Sequence, residues 1–113
     1  MSSLEWASGL FEGEGSFVCT RIKNRKNSYK VHVVISSTDR DVLETFQNVV
    51  GFGPINGPYK PSNGKKMRYV WEVQNYRDCL KISELLYPYL HSRRKEKANI
   101  LIKLCKERLL GKT

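Results

Sequence analysis

Residues 6 to 17, Trp-Ala-Ser-Gly-Leu-Phe-Glu-Gly-Glu-Gly-Ser-Phe, constrain this chain more than any other stretch. They begin as a helix, with Ser2 as candidate N-cap and Glu5 three residues on in a capping-box arrangement. Trp6, Gly9, Leu10 and Gly13 then share one helical face at i, i+3, i+4 and i+7, while Leu4, Ala7 and Phe11 share a second. A short helix that is apolar on two sides must bury both, one against its own sheet and one against something else. Its end is unusual. Gly9 and Gly13, four apart, strip side chains from one line and leave room for another backbone, and Gly15 follows closely. Glu12 and Glu14 sit at the negative end of the helix dipole, a cost of roughly 0.3–1 kcal/mol each when exposed. Such placement points to a task other than stability. At about 100° per residue the two carboxylates face nearly opposite sides, so one helix cannot chelate one ion with both. A metal on Glu14 would take its second carboxylate from a second, identical helix.

The charge has a pattern. The chain has 113 residues, one domain's worth, with a net charge of +9 and a pI near 9.6, which favours a polyanionic partner. No acid lies between Glu14 and Asp39, a segment holding Arg21, Lys23, Arg25, Lys26 and Lys30. None lies between Glu44 and Glu72, where Lys60, Lys65, Lys66 and Arg68 sit. Cys19, Cys79 and Cys105 are odd in number, lack metal-site spacing and fall on apolar faces, so they read as reduced, buried thiols of an intracellular protein. No signal peptide is evident, and the apolar runs fall short of the ~20 residues a membrane span needs.

Both basic segments read as hairpins. Phe17 to Lys23 is a strand, Asn24 to Ser28 a polar connection, and Tyr29 to Ile35 a strand with Val31, Val33 and Ile35 on one face. In the first strand Phe17 and Cys19 suit the core, which leaves Val18, Thr20 and Ile22 on the open face and turns Arg21 and Lys23 inward. Either a bulge shifts the register after Cys19 or these two reach around the rim. Thr38 is the expected N-cap of a second helix, with Asp39 and Asp41 as first-turn acids, a stripe of Val42, Leu43, Phe46, Val49 and Val50, and Gly51 as the stop. Gly53 to Pro61 and Met67 to Gln74 form the second hairpin around Asn63-Gly64, with Tyr69, Trp71 and Val73 facing the core. Asn75 caps a third helix ending before Pro88, and Ser92 starts a fourth striped with Ala98, Leu101, Ile102, Cys105 and Leu109. The predicted class is α+β: helix, hairpin, helix, hairpin, helix, helix, with a four-stranded antiparallel sheet covered by helices on one face. The open face is basic, and such a sheet fits the B-DNA major groove, roughly 12 Å wide. Thr20, Lys30, His32, Arg68, Glu72 and Gln74 are its candidate base-edge contacts. Lys23, Arg25, Lys26, Lys60, Lys65 and Lys66 are the candidate phosphate anchors.

Ala7 to Gly15 resembles the nine-residue LAGLIDADG motif of a family of homing endonucleases. Gly9, Leu10 and Gly15 match it identically, and Ser8, Phe11, Glu12, Gly13 and Glu14 are close replacements. The likeness extends over nearly the whole chain, including Leu86 to Leu90 with its proline and the basic Arg93-Arg94-Lys95 that follow. The resemblance implies a saddle-like sheet and a homodimer formed through Trp6, Gly9, Leu10 and Gly13, since one motif is present. It implies metal-dependent hydrolysis of double-stranded DNA at a long, near-palindromic site. Glu14 and the Gly13 carbonyl would be metal ligands, with Mg²⁺ or Mn²⁺ as cofactor and no small-molecule cofactor. Glu12 would serve the helix end. A basic residue near the active site is also implied; one count along the chain selects Arg93, which is preferred, and another Arg94. Glu14 is one methylene longer than the usual Asp, and Ile35-Ser36-Ser37 stand where some members carry a glutamine that orients water.

Other classes fit less well. A non-cleaving relative, such as an intron maturase or a transcription regulator, would keep the same sheet. A glycosidase-like pairing of Glu12 with Glu14 conflicts with their opposed directions. A structural RNA-binding protein would need neither the glycines nor self-association.

Overall fold

The computed structural model describes residues 3–22, 29–60 and 66–111. Helix α1 (Ser3–Glu14) runs directly into strand β1 (Gly15–Arg21), which pairs with β2 (Tyr29–Ser37). Helix α2 (Arg40–Val50) leads to β3 (Ile55–Tyr59) and β4 (Arg68–Val73), and α3 (Tyr76–Leu86), a 3₁₀ turn at Tyr87–Tyr89 and α4 (Ser92–Leu109) complete the order. All pairings are antiparallel and the sheet order is β1-β2-β4-β3, so β2 and β4 are its central strands. The expected α+β architecture is the observed one.

The period-2 pattern of the strands sets the two faces. Val33 lies opposite Val73 and Ile35 opposite Trp71, and all four are buried under the helices. Their sequence neighbours Val34 and Glu72 form the adjacent pair and project to the other face. The core runs from Ala7 and Phe11 of α1 through Leu43 and Phe46 of α2 to Ile82 and Leu86 of α3 and Leu101 of α4, all 0–1% exposed. Trp71 anchors one end. Its indole N–H donates to the Phe52 carbonyl at 2.9 Å, and its ring leaves no room for a side chain at Gly53, whose φ of +95° already demands glycine.

The helix boundaries follow their caps. Asn75 Oδ1 accepts from the Asp78 N–H at 2.7 Å, so α3 begins where its capping signal lies. Gly51, at φ +89°, closes α2 with its N–H on the Gln47 carbonyl. At the other end of α2 the expectation fails: the N-cap is Asp39, not Thr38, because the Ser37 hydroxyl accepts the Asp39 N–H at 3.0 Å and delays the first turn. The candidate cap Ser2, the connection Asn24–Ser28 and the turn Asn63-Gly64 lie outside the described residues.

The first strand needed no bulge. Pairing with β2 is continuous from Gly15–Ile35 to Arg21–Tyr29, and the strand starts at Gly15 rather than Phe17. Cys19 pairs with Val31 on the core side but is exposed, contrary to the expected burial. Its strand is at the sheet edge, where the helical cover ends. Leu109, assigned to the buried stripe of α4, is 44% exposed. Cys79 and Cys105 are buried free thiols, and burial pushes them up to about 12 and about 11 respectively. Among the described residues no helix is long and apolar enough to cross a membrane.

Candidate nuclease site and DNA interface

The end of α1 resolves the puzzle of its two carboxylates. Glu12 turns inward and accepts the backbone N–H of His91, the N-cap of α4, while the same oxygen lies 3.2 Å from His91 Nδ1. A carboxylate misplaced at the C-terminus of one helix thus sits at the positive N-terminus of another, where the dipole favours it. Arg94, in the first turn of α4, answers from the opposite direction. Its guanidinium donates to the Gly15 carbonyl at 2.6 Å and to the Glu12 carbonyl at 3.0 Å, lies 3.7 Å from the Glu12 carboxylate, and covers the Phe11 ring. These carbonyls are among those an ending helix leaves without an intrahelical donor. The two helix ends therefore cap each other.

Gly15 is required at this junction for a steric reason. A Cβ there would lie 2.4 Å from the Phe11 ring, so only glycine lets β1 leave the helix so tightly. Gly9 and Gly13 are different: a Cβ on either would meet nothing within 4 Å. No contact among the described residues explains them. Both are exposed, Trp6 beside them is 40% exposed, and Leu10 is half-buried. Ala7 and Phe11, on the other face, are fully buried. One side of α1 thus packs on the sheet, and the other is an uncovered strip of small and apolar residues.

Glu14 ends that helix. Its carboxylate is exposed and has no partner among the described residues, while Glu12 is fully engaged. The Gly13 carbonyl is not one of the two that Arg94 holds. Among the described residues no cluster of three His, Cys, Asp or Glu side chains could hold a metal ion. One protomer therefore offers a free carboxylate and a nearby helix-terminal carbonyl, hard oxygen donors of the kind Mg²⁺ and Mn²⁺ take, but too few for a complete site. Among the described residues Arg93 is exposed and makes no side-chain contact with this junction, whereas Arg94 does.

On the far face of the sheet, Thr20 and Lys30 are an exposed cross-strand pair at one end of β1-β2, next to the Val18–His32 pair. Arg68 projects from β4 and donates to Ser36 Oγ at 3.2 Å. Lys60 and Lys66 are exposed just after β3 and just before β4. His32 and Glu72, nominated separately from the sequence, are bonded to each other, with Nε2 2.7 Å from Oε1. Gln74 donates to the same carboxylate oxygen at 3.2 Å. Lys23, Arg25, Lys26 and Lys65 lie outside the described residues.

A helix-covered, four-stranded antiparallel sheet with an open basic face, preceded by a glycine-lined helix, is an α+β fold that known proteins share. The family model described as LAGLIDADG endonuclease matches residues 7–107, and the chain belongs to that family. No curated protein sequence matches it. Solved structures share the fold. The homing endonuclease I-CvuI in complex with its target is 17% identical, with a TM-score of 0.73 over 92% of this chain and 66% of that one. The archaeal intron-encoded I-Vdi141I complexed with DNA is 18% identical, with a TM-score of 0.71 over 96% and 69%. I-GzeII in complex with its DNA target is 20% identical, with a TM-score of 0.74 over 95% of this chain and 36% of that one. The chain thus spans about two thirds of I-CvuI and little more than a third of I-GzeII.

Proposed function

We propose that the chain is a site-specific endonuclease that cuts double-stranded DNA as a homodimer, with a divalent cation, at a long near-palindromic site. The observation that carries this reading is the uncovered face of α1. Gly9 lies within a helix at a cost of about 1 kcal/mol relative to alanine, yet nothing among the described residues of the protomer needs the space. A second copy of the same helix, packed through Trp6, Gly9, Leu10 and Gly13, accounts for it. A two-fold contact of this kind is self-complementary, and it brings two copies of Glu14 together.

In that arrangement Glu14 and the Gly13 carbonyl of each protomer would hold the cation. When bound, it supplies charge neutralisation at the scissile phosphate and activates water for attack. The protein's own part is placement. Arg94 and Glu12 fix the helix end, so that the Glu14 carboxylate is presented beside the sheet rather than on a fraying terminus. The sheet enters the major groove, where Thr20, Lys30, Arg68 and Gln74 reach base edges and Lys60 and Lys66 reach phosphates. Neutralising around ten phosphates per dimer makes affinity steeply salt-dependent, with a loss on the order of 10³–10⁵ between 50 and 200 mM salt. Arg93, exposed on the first turn of α4, is a candidate for phosphate contact and not for the junction that Arg94 fills.

The decisive experiment is a cleavage selection from a random duplex library in Mg²⁺, with wild type and Glu14→Gln. Recovery of a two-fold symmetric site cut by wild type, and bound but uncut by the variant, supports the reading. Sequence-specific binding with no metal-dependent nicking by wild type would instead establish a non-cleaving binding protein, such as a maturase or regulator.

A further inference from the structure

Glu72 is the only acid on the open face of the described strands, whose other charged residues there are basic. A carboxylate on a surface that approaches DNA is repelled by every phosphate, so it needs a specific reason to be there. Its position supplies one. Glu72 sits on β4, a central strand, opposite Val34 of the other central strand, away from the edges of the sheet. It is held in a fixed orientation. His32 Nε2 and Gln74 Nε2 both converge on Oε1, at 2.7 and 3.2 Å, and leave Oε2 without a partner among the described residues. Because an ionised carboxylate only accepts, the bond at Oε1 requires the proton of His32 on Nε2. Glu72 itself lines a shallow depression of about 280 Å³ with Asn56, Gln74, Asn75 and Asp78, and its two braces, His32 and Gln74, line a second of about 290 Å³ with Val18, Thr20 and Lys30.

We infer that Glu72 is a sequence reader: its free Oε2, braced by His32 and Gln74, accepts from the exocyclic amine of a cytosine in each half-site. This rests on the DNA-binding reading above and names what one position of the interface selects. In the major groove cytosine presents the N4 amine as a donor. Guanine offers O6 and N7 and thymine offers O4, all acceptors that would face the carboxylate lone pairs. Adenine offers its N6 amine but sets the N7 acceptor beside it. An acceptor-only group therefore favours cytosine and penalises guanine and thymine most, and the two bonds to Oε1 keep it from rotating to suit another base.

The test compares selected-site profiles of wild type, Glu72→Gln and His32→Leu, with circular dichroism to confirm that each is folded. Wild type is expected to require cytosine at one symmetric pair of positions, by about 5- to 150-fold over guanine or thymine. Glu72→Gln should shift that pair alone toward adenine, which a glutamine amide reads at N6 and N7, and leave other positions unchanged. His32→Leu should weaken discrimination at the same pair without moving it. A Glu72→Gln profile identical to wild type, with specific binding intact, overturns the assignment while leaving the nuclease reading standing. A wild-type protein that selects no duplex sequence overturns both, so the two failures are distinguishable.

Discussion

Replacing Gly9 with alanine should push protomer stability and self-association in opposite directions. Alanine is favoured over glycine inside a helix by about 0.8–1.0 kcal/mol, and the new methyl group would meet nothing within 4 Å. The protomer should therefore gain close to the full amount. At roughly 2.1 cal/mol/K per residue, the unfolding entropy of 113 residues is about 0.24 kcal/mol/K, so the gain is worth about 4 °C in Tm. If a second helix lies against Gly9, the same methyl group enters a backbone–backbone contact and self-association is lost. Thermal melts at low and high protein concentration separate the two effects. Wild type should melt at a temperature that rises with concentration; Gly9→Ala should melt higher when dilute and show no concentration dependence. Sedimentation should then find the variant monomeric. An alanine variant that dimerises as well as wild type would refute the reasoning, because the groove in the helix would then have no occupant.

Arg94→Ala removes two hydrogen bonds from a half-buried guanidinium to helix-end carbonyls and exposes the Glu12 carboxylate, so a loss of about 2–4 kcal/mol is expected in urea melts. Arg94→Lys should recover little of it, since one ammonium cannot span both carbonyls in the same fork. Ser8 and Ser83 carry buried hydroxyls with no partner among the described residues, and Ser8→Ala and Ser83→Ala should each stabilise by on the order of 1 kcal/mol in the same assay. The buried thiols set an alkaline limit. With Cys79 raised from 9.0 to about 12 and Cys105 to about 11, the folded state holds protons that the unfolded state releases. Stability should thus be full below pH 9 and fall as pH rises toward 11–12, by up to roughly 1.4 kcal/mol per pH unit per thiol. The double variant Cys79→Ala, Cys105→Ala should show a shallower decline, and equal slopes would contradict this account.

Local physics made most of the fold legible. The alternation Val31, Val33, Ile35 placed β2, Asn75 with Asp78 started α3, and Pro88 ended it, because each signal acts within a few residues. Where two local groups compete, the sequence misleads: the Ser37 hydroxyl takes an N–H that makes Asp39, not Thr38, the cap of α2. Cys19 obeyed its alternation but not its burial, since alternation gives direction and only the layer above decides cover. The helix-end junction was the least legible part. Glu12 meets His91 across 79 positions and Arg94 reaches the Glu12 carbonyl across 82, and no periodicity reports a contact at that range. The glycines were informative for the opposite reason. They broke a local preference, and such conflicts mark positions where function outweighs stability.

The reciprocal grip between α1 and α4 also bears on the order of assembly during synthesis. Helix α1 leaves the ribosome well before α4, but its clasp is Arg94, about 80 residues further along the chain. A truncated polypeptide carries the motif without the latch that aims it.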